Sequence, residues 1–360
     1  MTRRLMEGSE AMAEAAVASG CRFFAGYPMT PFTEILEHFA KKLPPVGGVC
    51  INAESELEAV GMAWGALATG ARAATGSTGQ GLSLMQESFA EITLAELPLV
   101  IFDMARGQGD YFQATRGGGH GDYRHIVLAP FDISEAVALT QEAFELADRW
   151  RTPVLIMGDY LLAHTSEAVE VPEVQPEVAA KDWAVDGSLG GSGRSRLVSS
   201  LGFAKHGQPG PGGIEAHQRA IAAKLRRIAE AEVKFETGWL EGAEYLVVAF
   251  GTAAKFARYV VAHMRADGIP VGFFRPITLW PFPYRALKEA ATGVKQVLVF
   301  EINAGQMIDD VRIGVEGAAP VGFIGGISTD HSGFGVGELL DAGVIRARIE
   351  RAMAGQEVGV

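Results

Sequence analysis

Cysteine is almost missing from this 360-residue chain. Cys21 and Cys50 each lie in an apolar stretch, and two thiols supply neither a disulfide framework nor a zinc site or cysteine-held iron-sulfur cluster from this chain alone. Any redox metal is therefore expected elsewhere. Positive charge is also short: 31 Lys and Arg face 43 Asp and Glu, a net charge of −12. That balance gives no electrostatic footprint for a nucleic-acid backbone or an anionic membrane. No uninterrupted apolar run of about 20 residues occurs, and the start, Met-Thr-Arg-Arg-Leu-Met-Glu-Gly, has no apolar segment behind its charges. The expectation is a soluble, cytoplasmic protein that binds neither nucleic acid nor membrane. Neither GxxxxGK followed by Ser or Thr, nor GxGxxG, is found, so a phosphate cradle of the usual nucleotide-binding kinds is unsupported.

What is present is a packed globular composition, 48% hydrophobic and 21% charged. At this length two domains of roughly 100 to 200 residues are expected. Apolar strand-like runs alternate with helical ones: helix Ser9 to Ser19 with a serine cap and a terminating Gly20, strand Cys21 to Ala25, helix Thr33 to Lys42, strand Val49 to Ile51, helix Glu56 to Thr69 closed by Gly70. Strand Ala71 to Thr75, helix Leu82 to Glu96 and strand Leu99 to Met104 follow; then, past a Gly-rich loop, come strand Ile126 to Leu128, helix Ser134 to Trp150 and strand Val154 to Met157. Between Val171 and about Phe235 the pattern dissolves into Pro, Gly and Ser, with only Ile214 to Lys234 helical in character. Alternation resumes from Tyr245 and closes with a helix from Val336 to Met353. The fold class is α/β with two doubly wound units, spanning residues 1–170 and 241–360 around a connector at 171–240.

Three strand-to-helix junctions carry candidate chemistry, because open α/β sheets bind ligands beyond the carboxyl ends of their strands. The first is Asn52-Ala53-Glu54-Ser55-Glu56-Leu57-Glu58, where carboxylates precede an apolar helix. All three acids suit a helix N-terminus. Glu56 is singled out because its helix continues Ala59, Gly61, Ala63, Gly65, Ala66, small residues that permit close packing against another element or a ligand ring. The second, Gly26-Tyr27-Pro28-Met29-Thr30-Pro31, is either a proline turn or a rigid loop offering the Thr30 hydroxyl. In the third, Thr75-Gly76-Ser77-Thr78-Gly79-Gln80-Gly81, small residues let a ligand approach the backbone. Arg106, after strand Leu99 to Met104, is either a solvated loop charge or a clamp for a substrate carboxylate. His120, among four glycines, belongs to a lid or subunit-contact loop or acts as an acid or base. Gly251-Thr252-Ala253-Ala254-Lys255 reads as a tight turn into a helix.

Taken together these segments resemble the alpha subunit of 2-oxoacid:ferredoxin oxidoreductases, of the 2-oxoglutarate and branched-chain 2-oxoacid type. The likeness rests on Phe24-Ala25-Gly26-Tyr27-Pro28-Met29-Thr30-Pro31, Ala53-Glu54-Ser55-Glu56, Gly79-Gln80-Gly81-Leu82-Ser83-Leu84-Met85 and Ala95-Glu96-Leu97-Pro98, with Arg275 to Pro283 and Glu301-Ile302-Asn303-Ala304-Gly305-Gln306-Met307 in the second unit. It covers nearly the whole chain apart from the connector.

The resemblance implies a thiamine-diphosphate enzyme whose first unit is a pyrimidine-binding domain and whose second is transketolase-C-terminal-like. By it Glu56 is the carboxylate beside the cofactor's aminopyrimidine, Thr30 and Arg106 meet the 2-oxoacid, and Tyr27, Pro28, Ser77 and Gly79 border the cofactor. The companion GDG motif for diphosphate and magnesium is absent, since Gly158-Asp159-Tyr160 stops short of it. The resemblance therefore places that motif, magnesium and a 4Fe-4S iron-sulfur cluster on a beta subunit. Gamma and delta subunits, coenzyme A, ferredoxin and a small 2-oxoacid complete the implied set; no metal site falls on this chain. Gln80 for a common proline, Asn52 for a common glutamine and a short segment after Arg106 depart from the family pattern and bear on substrate contacts and coenzyme A use. Two other readings stay open at this point: a non-redox thiamine decarboxylase or ketol transferase, and a non-catalytic scaffold of the same fold.

Overall fold

The computed structural model describes residues 3–172, 181–185, 199–202, 210–333, 335, 337–356 and 358. A seven-stranded sheet organises the first part of the chain, in the order Thr278–Trp280, Ile126–Leu128, Val154–Asp159, Val100–Ala105, Ala73–Ser77, Phe23–Gly26, Val49–Asn52. Every pairing is parallel except that of the Thr278–Trp280 edge. Strands Val100–Ala105 and Val154–Asp159 are buried along all six residues, as continuous apolar runs require when helices cover both faces of a sheet. On one face helices Gly8–Ala18, Thr33–Lys42 and Ile133–Trp150 enclose Met12, Phe24, Phe39, Phe102 and Phe144. On the other lie Glu56–Ala68 and Gly79–Leu94. Their apolar cluster runs on into the second unit through Tyr111, Phe250, Phe274 and Leu287.

That second unit is a five-stranded sheet ordered Val321–Phe323, Gln296–Phe300, Tyr245–Ala249, Val271–Pro276, Phe235–Gly238, parallel but for its last strand. The two parallel, doubly wound units are thus as expected. Two segments cross between them. Directly after Val271–Pro276 the chain leaves the second sheet, and Thr278–Trp280 covers the edge strand Ile126–Leu128 of the first. Phe235–Gly238, inside the stretch read as connector, closes the edge of the second. Both pairings supply partners for strand edges that would otherwise present bare N–H and C=O groups.

Several local readings are corrected. Ser9 does not cap the first helix, which starts at Gly8 behind Glu7; its hydroxyl donates instead to the buried Ala163 carbonyl at 3.1 Å. The cause is an unexpected antiparallel pair, Arg4–Glu7 with Ser166–Val169, which runs straight into the helix and leaves no turn to cap. The final helix begins at Ala342, where the Asp341 carboxylate accepts the Gly343 and Val344 N–H groups, and its expected start, Val336, lies outside the described residues. The Gly-rich stretch after Arg106 contains a short helix, Tyr111–Thr115. Both cysteines are free; burial pushes the Cys21 thiol up to about 12 and that of Cys50 to about 11. Among the described residues no helix is long and apolar enough to cross a membrane.

Polar groups fasten the two units. Arg275 is buried and forks onto both Glu135 oxygens at 2.6 and 2.8 Å, bonds Glu236 through Nε, and stacks 4.2 Å over the Phe131 ring. Asp310, fully buried, accepts from Tyr111 at 2.6 Å and from Tyr284, and pairs with Arg116 at 2.9 Å. Removing that acceptor strands three donors. The Asp310→Ala substitution is expected to cost about 3 kcal/mol, read from denaturant midpoints.

His125 supplies a pH-dependent stability term. It is buried between Phe89 and Tyr123, neither ring nitrogen meets a partner in good hydrogen-bond geometry among the described residues, and burial drives its pKa down from 6.5 to about 4, the nearby Ala114 backbone offsetting part of the effect. The folded chain holds the neutral ring, so this contribution is complete above pH 6.5 and is lost as pH falls toward 4. Between pH 7 and pH 5 the loss should be about 2 kcal/mol, and His125→Leu should flatten that part of the stability curve.

Candidate functional site

Capping chemistry sorts the three acids at Glu54 to Glu58. Ser55 is the N-cap: its hydroxyl accepts the Glu58 N–H at 3.3 Å, and the Glu58 carboxylate reaches back to the Glu54 N–H at 3.0 Å. Reciprocal capping of this kind occupies Glu58, which is exposed, as is Glu54. Glu56 turns inward. It is 3% exposed, and its Oε1 accepts the Ser77 hydroxyl at 3.2 Å. Gly81 makes the space: a methyl group there would overlap both Ser77 Oγ and the Glu56 carboxylate.

Gly81 lies in the first turn of helix Gly79–Leu94, whose N-cap is Thr78. The Thr78 hydroxyl is fully buried and has no hydrogen-bond partner among the described residues. Such orphans are uncommon and call for a ligand or a water. Thr78 lines a pocket of about 310 Å³ together with Gly79, Gln80, Ser83, Arg106, Asp110 and Gln113. Arg106 follows strand Val100–Ala105, and its Nε donates to the Thr30 carbonyl at 3.0 Å. Loops from three strands therefore converge here. They meet where the winding of the sheet reverses, since Phe23–Gly26 has Val49–Asn52 on one side and Ala73–Ser77 on the other. Crevices at such reversals are the ligand sites of open α/β sheets.

The structure thus brings Glu56 and Ser77 into contact, puts Gly79 and Arg106 on one pocket wall, and ties Thr30 to Arg106 through its carbonyl rather than its hydroxyl. Tyr27 and Pro28 sit exposed on the Thr30 loop and do not line this pocket. Three residues escaped the sequence reading. Thr78 was hidden within its own motif. Gln113 and Asp110 lay in a segment whose only signal was an acid after Gly107-Gln108-Gly109. The Asp110 carboxylate accepts from Gln113 Nε2 at 2.7 Å and lies against Gly79, close enough that a Cβ there would stand 2.8 Å from Oδ1. Burial raises its pKa, with the Gln113 hydrogen bond and the Arg106 charge opposing. Asp103, across from Ser77 in the sheet, is fully buried with no partner among the described residues, and burial, with Asp110 nearby, holds its carboxyl well above the usual range.

The second unit holds this wall in place. The Gln108 amide donates to the Phe250 carbonyl at 2.8 Å and accepts the Ile302 N–H at 3.0 Å, while its backbone carbonyl accepts from Asn303 at 2.9 Å. Gln306 donates to the Gly109 carbonyl and accepts the Phe112 N–H, both at 2.8 Å. Glu301 caps helix Met307–Val315 by accepting the Gln306, Met307 and Ile308 N–H groups. The segment Glu301 to Met307 thus builds the brace. His120 lies outside this pocket, at 2.8 Å from Glu91, on a loop whose Gly118 and Gly119 N–H groups both donate to the Tyr123 hydroxyl. Asp159 caps a short helix through the Leu162 N–H and accepts from Thr252, which gives both look-alike motifs structural employment.

The family description "pyruvate flavodoxin/ferredoxin oxidoreductase, thiamine diP-bdg" matches residues 14–185, and "pyruvate:ferredoxin oxidoreductase core domain II" matches residues 243–332. The ketoisovalerate oxidoreductase subunit VorB of Methanothermobacter thermautotrophicus is 39% identical over 324 residues, 87% of this chain and 90% of that protein. The chain belongs to the 2-oxoacid:ferredoxin oxidoreductase family. A second member, the 2-oxoglutarate synthase subunit KorA of Methanothermobacter marburgensis, is 33% identical over 346 residues, 88% of this chain and 92% of its own. Among solved structures, the 2-oxoglutarate:ferredoxin oxidoreductase of Magnetococcus marinus superposes with a TM-score of 0.80 at 23% identity, covering 97% of this chain and 65% of that one. A split-gene transketolase reaches 0.59 at 17% identity over 97% of this chain and 98% of its own, a likeness of fold alone. Of the readings left open by the sequence, family membership selects an oxidoreductase subunit.

For a member of this family, the contact of Glu56 with Gly81 is a tight constraint. Gly81→Ala must displace the carboxylate, and turnover of the assembled enzyme should fall by about 100-fold, as misplacement on the order of 1 Å does elsewhere. Steady-state rates beside a melting curve check this.

Proposed function

We propose that this chain is the alpha-type catalytic subunit of a cytoplasmic, thiamine-diphosphate-dependent enzyme that oxidatively decarboxylates a 2-oxoacid to an acyl-CoA and passes the electrons to ferredoxin. The observation that carries the reading is the inward Glu56 carboxylate, held by Ser77 against Gly81 at the start of its helix. Residues 1–170 then form the pyrimidine-binding domain and 241–360 the transketolase-C-terminal-like domain, joined by 171–240.

In this reading Glu56 holds and moves a proton at the cofactor's pyrimidine nitrogen. One of its oxygens is engaged by Ser77, which fixes the direction of the other. The buried Thr78 hydroxyl lacks a partner among the described residues, which fits a polar ligand in the adjacent pocket. Ser77 and Gly79 border the cofactor, and Tyr27, Pro28 and Thr30 close it from the neighbouring loop. Arg106, oriented through Nε by the Thr30 carbonyl, binds the carboxylate of the 2-oxoacid. When bound, thiamine diphosphate supplies the electron sink that decarboxylation of a 2-oxoacid needs.

A beta subunit would carry the diphosphate and magnesium motif and the 4Fe-4S cluster, with gamma and delta subunits and coenzyme A completing the enzyme. Two facts support that division: Gly158-Asp159-Tyr160 is the nearest approach to a diphosphate motif, and two cysteines are too few for a cluster. Ferredoxin docking is assigned to another subunit because of the −12 charge here.

The test is co-purification of the chain with its partners and 2-oxoacid-dependent reduction of a viologen dye. Glu56→Gln preserves shape and should leave the complex assembled while lowering turnover about 1000-fold, within the range for a positioned acid–base group. Wild-type rates in that variant would sink the assignment.

A further inference from the structure

Asp110 takes no part in the steps above, yet it lines the same pocket as Arg106. Its carboxylate stands against Gly79, where an added Cβ would lie 2.8 Å from Oδ1, so it occupies the N-terminal end of helix Gly79–Leu94, where an external anion would otherwise be welcomed. Two other donors on this wall are also engaged. The Gln113 amide donates to Asp110 at 2.7 Å and to the Gly79 carbonyl at 3.0 Å, and the Ser83 hydroxyl donates to Gln113 at 2.8 Å. Only Gly107-Gln108-Gly109 separates Asp110 from Arg106, and Gln108 and Gly109 are pinned to the second unit, so the acid is not placed to swing out. Arg106 is the one cation lining this pocket among the described residues, and it is assigned to the carboxylate next to the oxo group.

A substrate with a second carboxylate on its side chain would bring that group against the like charge of Asp110, with the Gln113 and Ser83 donors beside it already engaged. We infer that Asp110 is a specificity-determining residue that restricts the pocket to 2-oxo monocarboxylic acids with uncharged side chains and rejects 2-oxo dicarboxylic acids. The inference rests on the reading of this pocket as the 2-oxoacid site. Sequence similarity leaves the choice open, since relatives named for ketoisovalerate and for 2-oxoglutarate both match over most of the chain.

The experiment measures kcat/KM for ketoisovalerate and 2-oxoglutarate by dye reduction, on one preparation each of the wild-type complex, Asp110→Asn and Asp110→Ser. The ratio of the two values is independent of how much of a preparation is active, so a partly unfolded variant still reports. Wild type should favour ketoisovalerate, and removing the charge should raise the 2-oxoglutarate to ketoisovalerate ratio about 10-fold or more, mainly through KM. Wild type that prefers 2-oxoglutarate, or a ratio unchanged in both variants, overturns the specificity role and leaves the proposed function standing. Absence of dye reduction with every 2-oxoacid tried overturns the proposed function and this inference with it.

Discussion

Gln108 is the residue through which the two halves of the molecule act as one site. Its amide satisfies two buried backbone groups of the second unit, the Phe250 carbonyl and the Ile302 N–H, while its own carbonyl is held by Asn303. A buried polar network is stable only when every member is paired, and here the pairing leaves the short Arg106 to Asp110 loop little freedom. Arg106, Asp110 and, through the Thr30 carbonyl, the proline loop take their places from that constraint. The second unit contributes none of the lining of the pocket yet decides its shape.

A second constraint is competition for hydrogen bonds at helix starts. At the surface the Ser55 hydroxyl takes the Glu58 N–H and the Glu58 carboxylate takes the Glu54 N–H, which releases Glu56 to turn inward, where Ser77 is its donor. At the next helix the usual cap is withheld: Thr78 stands in the N-cap position without making a side-chain cap, and Asp110 reaches across from another loop to stand against Gly79. Glycine at 79 and at 81 follows from these close approaches rather than from any demand for unusual backbone angles.

Much of the fold was legible because its signals are local. Continuous apolar strands such as Val100–Ala105, amphipathic helices such as Ile133–Trp150, and Gly20 and Gly70 with positive φ at helix ends each declare themselves within a few residues. What escaped was non-local. Arg4–Glu7 and Ser166–Val169 form strands only by pairing with each other across most of the first unit, and Thr278–Trp280 becomes a strand by covering an edge that belongs to the other sheet. Ser9 looked like a cap until the Ala163 carbonyl claimed its hydroxyl.

The candidate site divides along the same line. Sequence by itself determined the residue types and their junctions: Glu56 before a small-residue helix, Ser77 and Gly79 after a strand, Arg106 at the end of another, and too few cysteines for a cluster. It could not rank Glu56 above Glu54 and Glu58 by position, because all three answer a helix dipole equally well. Burial ranks them, and burial depends on Gly81 arriving from a different strand and helix. Asp110 and Gln113 joined the wall of the pocket only when contacts with residues nearly 200 positions away folded their loop back onto the first unit. Chemistry carried by one side chain is written in the chain order; a pocket is a set of distances between strands, and those exist only once the sheet has reversed its winding and the second unit has closed against it.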